Sequence, residues 1–235
     1  MLSVEQVSKR FGAREVLTEV SFEIGHGEAF ALMGLNGAGK SSLLRCVLNL
    51  LVFDSGRIRI SGRPHSDSAA RAAVFYLAEH FSPPPAVSGH DCLRYVAGLY
   101  ARAYRPEEAC ALAAGLDLDP AQLSAPVRQF SKGNVQKLGL TMALLSDCPL
   151  LILDEPFSGL DGRALAQSVA RLSAARDAGQ TLLFTTHRLA EAGGLSDRVA
   201  VLHDGHLAFC GRPLELAEVG GSATADAGFL RLIDI

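Results

Sequence analysis

The sequence predicts an α/β domain with a mostly parallel sheet, an N-terminal antiparallel β subdomain and an inserted α-helical subdomain. Three observations predict it. Leu150–Leu153 is an unbroken apolar run, and Ala29–Met33, Thr181–Thr186 and Val199–Leu202 are short runs of the same kind; such runs suit strands covered on both faces, as in a parallel sheet. Leu2–Val7 and Val16–Ile24 instead alternate apolar with polar residues, as half-buried antiparallel strands do. From about Phe81 to Pro149 the texture changes: Ser82-Pro83-Pro84-Pro85 breaks the chain and apolar residues then recur at helical spacing.

At 235 residues the chain can bury a full core, and one domain with an insertion fits better than two. The core and β subdomain are expected over about 1–80 and 150–215, the helical subdomain over about 81–149, and a short tail over 216–235. In order, Lys9-Arg10-Phe11-Gly12 puts an aromatic at a turn between the first two strands. A helix follows Ala29–Met33, reading Ser42–Leu50, then strands at Ser55–Ile60 and Val74–Leu77. Leu93, Val96, Ala97, Leu99 and Tyr100 mark one helix of the insertion, Ala109–Leu116 a second and Val135–Leu145 a third. Beyond Leu214 come a short helical pattern, a small-residue stretch over Gly220–Gly228, and Phe229–Ile235.

Between the strand Ala29–Met33 and its helix lies Gly34–Ser42, reading GLNGAGKSS. Strand, glycine-rich loop and helix are the context in which G-x-x-x-x-G-K-[ST] has chemical meaning, and they predict a P-loop NTPase core. Glycines at 34, 37 and 39 let successive backbone N–H groups converge on one point. The N-terminus of the following helix brings its positive dipole end to the same place. The loop positions Gly34, Asn36, Gly37, Ala38, Gly39, Lys40, Ser41 and Ser42 are therefore expected around the phosphates of a nucleoside triphosphate, with Lys40 reaching the β- and γ-phosphates and the Ser41 hydroxyl on magnesium. Phe11 is the residue that could stack on the base, or an ordinary packed phenylalanine.

Composition excludes several other classes. Lys plus Arg total 22 against 25 for Asp plus Glu, and this balance argues against a broad nucleic-acid-binding surface. The five cysteines are scattered and lack C-x-x-C spacing, so they read as reduced, mostly packed thiols of a cytosolic protein. Six of the histidines, His26, His65, His80, His90, His203 and His206, show no metal spacing and read as structural. No apolar run approaches the roughly 18 residues of a membrane span, and the N-terminus lacks a signal-peptide pattern. Any membrane part is expected in another chain.

Read in order, the phosphate loop is followed by FSKGN at Phe130–Asn134, LLILDEP ending in Asp154-Glu155-Pro156, SGLD at Ser158–Asp161, and His187 at a strand end. This succession resembles the ATP-binding cassette (ABC) ATPases, from about residue 2 to residue 215. The resemblance implies an ATPase using ATP and Mg²⁺. Asp154 would hold the magnesium, and as a hard oxygen donor it suits that ion. Glu155 would be the general base and His187 would contact the γ-phosphate and steady Glu155. Phe11 matches the family's adenine-stacking aromatic.

The family's usual signature is LSGGQ; here Ser131 and Gly133 are kept while Phe130, Lys132 and Asn134 differ. In the family this motif faces the γ-phosphate held by a second cassette, so Ser131, Gly133 and the interface residue Asp161 would complete the site of a partner copy or paralogue. Glu79 stands where the family usually has a glutamine touching magnesium and the transport subunit; an acid there can ligate the cation but repels the triphosphate. SKGN followed by Gln136 and Lys137 is similar to export-type members. The resemblance thus implies a cassette, peripheral on the cytoplasmic face of a membrane, that powers export through separate transmembrane permease subunits. The competing reading is a soluble ABC ATPase with no transport role, in cofactor assembly or regulation.

Overall fold

The computed structural model describes residues 1–192 and 194–233; the last two residues of the expected tail segment, Asp234 and Ile235, lie outside them. The described residues form two sheets and the helices around them. The first sheet holds β1 (Leu2–Phe11), β2 (Arg14–Ile24), β4 (Ser55–Ile60) and β5 (Arg63–Pro64) in the order β2-β1-β4-β5. Its pairings are antiparallel, as the alternating sequence predicts. The second sheet contains β3 (Ala29–Met33), β6 (Val74–Leu77), β7 (Leu150–Leu153), β8 (Thr181–Thr186), β9 (Arg198–His203) and β10 (His206–Gly211). Their order is β10-β9-β3-β8-β7-β6, parallel throughout except for β10, which pairs antiparallel with β9.

The central strands have a core on both faces, which is why they read as continuous apolar runs. Along β3, Ala29, Ala31 and Met33 join one cluster while Phe30 and Leu32 join the other. The first cluster packs the sheet against α3 (Gly89–Leu99), α4 (Pro106–Gly115) and α5 (Lys132–Ser146), the three helices inserted between β6 and β7. It extends to α6 (Gly162–Asp177) and to a C-terminal hairpin of α7 (Pro213–Val219) and α8 (Ala225–Leu232). The second cluster packs the other face against β1, β2, β4 and α1 (Lys40–Val47).

Several elements differ from the expectation, each for a physical reason. β1 runs on to Phe11, where it pairs with Arg14 across a turn at Gly12-Ala13, so Lys9-Arg10-Phe11 is strand and not turn. Two residues with positive φ, Gln6 at 48° and Glu19 at 49°, accompany the register shifts that disguise the longer strand. α1 begins at Lys40, not Ser42, because Gly39 ends the loop in a left-handed conformation (φ 108°). α5 begins at Lys132, not Val135, because Ser131 accepts a hydrogen bond from the Asn134 amide at 3.1 Å and caps it. α6 escapes the sequence because its fully buried face is only Ala164, Ser168 and Leu172. β10 is an edge strand with no buried residue, and α2 (Ser68–Ala72) is a single turn on the surface. α8 occupies part of the small-residue stretch over Gly220–Gly228 and much of the segment after it, neither of which the sequence marks as a helix.

Of the five free cysteines, Cys46, Cys92 and Cys148 are buried and Cys110 half-buried, as expected of packed thiols; Cys210, on β10, is exposed.

Candidate nucleotide site

Parallel strands point their C-terminal ends the same way, and open α/β sheets bind ligands there. In this sheet β8 lies between β3 and β7, so the end of β8 separates the loop after β3 from the two acids after β7. A cleft of about 610 Å³ opens at this edge. It is lined by Phe11, Lys40, Ser41, Glu79, Asp154 and Glu155, with Asn36, Gly37, Gly39 and Ser42 among the rest of its wall.

The loop wraps this space as its sequence predicts, with two exceptions. Gly34 and Ala38 form the loop's inner side instead of lining the cleft. A Cβ at Gly34 would stand 2.5 Å from the Leu202 carbonyl oxygen, and Ala38 is buried with its amide donating to the Leu35 carbonyl at 3.1 Å. Lys40 is only 7% exposed, and its Nζ donates to the carbonyls of Gly34 at 2.6 Å and Leu35 at 3.3 Å. Burial lowers its pKa, against the opposing pull of the Glu155, Asp154 and Glu79 carboxylates. Lys40 is thus a cation held by neutral carbonyls among three acids.

Asp154 is 4% exposed and its carboxyl is shifted up by burial, partly offset by a hydrogen bond from Thr185 Oγ1 at 2.6 Å. The Ser41 side chain lines the cleft beside it. The phenol of Tyr76 lies against the same carboxylate and is pushed up to about 12, chiefly by burial. A buried, half-satisfied carboxylate beside a hydroxyl is a donor set for a hard cation such as Mg²⁺. Among the described residues no three His, Cys, Asp or Glu side chains converge as a metal cage. Ser41 and Asp154 therefore fit an ion that takes its remaining ligands from phosphate and water.

Glu155 sits at φ 47°, in the left-handed region, with its amide donating to Thr185 Oγ1 at 2.8 Å. Its side chain is 14% exposed and its Oε2 is 3.1 Å from His187 Nδ1, whose own ring is 53% exposed. Phe11 lines the cleft half-exposed, with Lys9 Nζ 5.3 Å from its ring centroid.

Ser131, Gly133 and Asp161 do not line this cleft. They lie together elsewhere on the chain: Ser131 caps α5, Asp161 caps α6 by accepting from the Ala164 amide at 2.9 Å, and a Cβ on Gly133 would come within 3.1 Å of the Gly159 carbonyl oxygen. That Ala164 amide is also the main reason the Asp161 carboxyl titrates low. Two helix N-termini thus meet at the signature loop, away from the phosphate loop.

Thr185 and Gln136 are the functional contacts that sequence reasoning missed. Thr185 bridges the side chain of Asp154 and the backbone of Glu155, and its only sequence signal is that of one among three threonines at the ends of the strand TLLFTT. Gln136 enters the sequence reading only as a flank of the signature; its buried Nε2 donates to the Pro156 carbonyl at 2.9 Å and ties the signature helix to the loop bearing Glu155.

The family profile described as "ABC transporter" matches residues 17–158. A solved chain, "Structure of ATP binding subunit of ABC transporter", superposes with a TM-score of 0.90 at 31% identity, covering 99% of each chain. The Nod factor export ATP-binding protein I of Sinorhizobium fredii is 36% identical over 92% of this chain and 64% of its own length. The ribose import ATP-binding protein RbsA 2 of Rubrobacter xylanophilus is 31% identical over 86% of this chain and 41% of its own length. The chain spans about three fifths of curated relatives it matches, 59% of one and 64% of another. It belongs to the ABC transporter family.

Proposed function

We propose that this chain is the ATP-hydrolysing subunit of an export-type transporter, pairing with a second cassette, identical or paralogous, and driving separate transmembrane permease subunits from the cytoplasmic face of the membrane. The observation that carries the reading is the clamp on Glu155: a carboxylate at the cleft wall, with His187 Nδ1 3.1 Å from one end and Thr185 holding its backbone. A general base must be held where the attacking water will sit.

In this reading Phe11 stacks on adenine, the loop amides of Asn36–Ser42 surround the phosphates, and Lys40 leaves the Gly34 carbonyl for the β- and γ-phosphates. Ser41 and Asp154, with Glu79 beside them, would hold magnesium, which would neutralise charge on the phosphate oxygens. Glu155 orients a water and accepts its proton as the water oxygen bonds to the γ-phosphorus. The β–γ bridging oxygen leaves with ADP. Ser131 and Gly133 of the second cassette supply hydroxyl and amide donors to the γ-phosphate from the opposite side, with Asp161 at the interface. ATP thereby closes two cassettes and hydrolysis reopens them.

The export direction rests on the FSKGN signature with Gln136 and Lys137, and on relatives named for export; a relative named for import has a comparable identity. The test is Glu155→Gln, which keeps the shape and removes the base. The variant is expected to bind ATP, accumulate closed dimers on size-exclusion chromatography and turn over at least about a hundredfold more slowly. Wild-type turnover by this variant would sink the assignment.

A further inference from the structure

We infer that Asp226, on the C-terminal helix α8, is a positioning residue for His187. The inference rests on the role proposed for His187 above. The Asp226 carboxylate accepts two backbone hydrogen bonds, from the Leu189 amide at 2.5 Å and the Ala190 amide at 2.8 Å. These two amides open the 3-10 turn Leu189–Ala192, immediately beyond His187 and Arg188. A turn's first amides have no partner within it, so a carboxylate that takes both sets where the turn begins.

The imidazole cannot fix itself. Its ring is half-exposed, and its contact to Glu155 joins it to the group it is meant to steady. Its position therefore depends on the backbone on either side. Upstream, Thr186 is buried at the end of β8, and its Oγ1 accepts from the Arg188 amide at 3.1 Å. Downstream, the anchor is Asp226.

Asp226 is itself on a firm support. Thr224 caps α8 through the Ala227 amide at 3.3 Å, and Phe229 and Ile233 are buried in the same core cluster as Leu189 and Ala192. The α7–α8 hairpin closes so tightly that a Cβ on Gly228 would run into the Leu216 carbonyl oxygen.

The test is a double-mutant cycle on ATPase activity of the whole chain, with Asp226→Ala and Asp226→Asn each made alone and with His187→Ala. If Asp226 acts through His187, D226A lowers kcat about tenfold, because a misplacement near 1 Å can cost even more. KM for ATP stays within about twofold, since Phe11, Lys40 and the rest of the phosphate loop are untouched. In the H187A background the same change alters kcat by less than about twofold. D226N keeps one acceptor oxygen and is expected in between; being the same shape, it carries the cycle if D226A does not fold. Wild-type kcat in both Asp226 variants, or an equal loss with and without His187, overturns the inference alone. Wild-type kcat in H187A overturns the proposed role of His187 and this inference together.

Discussion

Thr185 shows how much one hydroxyl can organise. It is fully buried, donates to Asp154 Oδ1 at 2.6 Å and accepts from the Glu155 amide at 2.8 Å. Glu155 holds a left-handed backbone (φ 47°), which a residue with a Cβ keeps only when its surroundings impose it. Thr185→Val has nearly the same volume but strands a buried carboxylate oxygen and an amide, each costing about 1–3 kcal/mol. The expected result is a lower melting temperature and a kcat reduced about ten- to a hundredfold, with KM for ATP little changed. Thr185→Ser should recover most of the rate. Steady-state kinetics of the two variants checks this, and equal rates in both would refute the bridging role. The reason this residue is illegible in TLLFTT is that its role depends on which strand neighbours which. Only the order β3-β8-β7 brings the end of β8 between Lys40 and the two acids.

At the scale of elements, legibility followed burial. β3, β7, β8 and β9 are apolar on both faces, and the sequence marks each to within about two residues of its bounds. The phosphate loop was equally legible, because its glycines and Lys40 are dictated by local backbone geometry and by charge. α6 and α8 were not. α6 buries Ala164, Ser168 and Leu172, and α8 has a glycine in its middle. That glycine is there because backbone meets backbone: in α8 a Cβ on Gly228 would collide with the Leu216 carbonyl oxygen. Gly228→Ala is therefore expected to destabilise the fold by about 1–3 kcal/mol despite a better helix propensity. In a chain of this size each kcal/mol lowers Tm by roughly 2–4 °C, which thermal unfolding measures directly. A Tm at or above wild type would mean that the hairpin is looser than its packing indicates.

For the molecule as a whole, the separation of the two halves of the proposed site decides how the protein must work. The cleft holds Lys40, Asp154 and Glu155, while Ser131 and Gly133 lie at the N-terminus of α5 and do not line it. Among the described residues no helix is long and apolar enough to cross a membrane. If the signature acts on the ATP of a second copy, two inactive variants should repair each other. Lys40→Ala disables a chain's own phosphate loop, and Gly133→Asp sets an acid against the γ-phosphate that the signature is to meet. Each variant alone is expected to be nearly inactive. Mixed in equal amounts, half of the two-fold dimers contain one of each, and in those one site joins the intact loop of G133D to the intact signature of K40A. Recovered activity should approach about a quarter of wild type if the two sites act independently. Recovery should also fall on dilution, because it depends on association. A mixture no more active than its components would place signature and loop in the same site of one chain, or require a paralogue as the second cassette; adding a candidate paralogue to each variant separates these, since only a heterodimer would rescue one variant through each of its two sites.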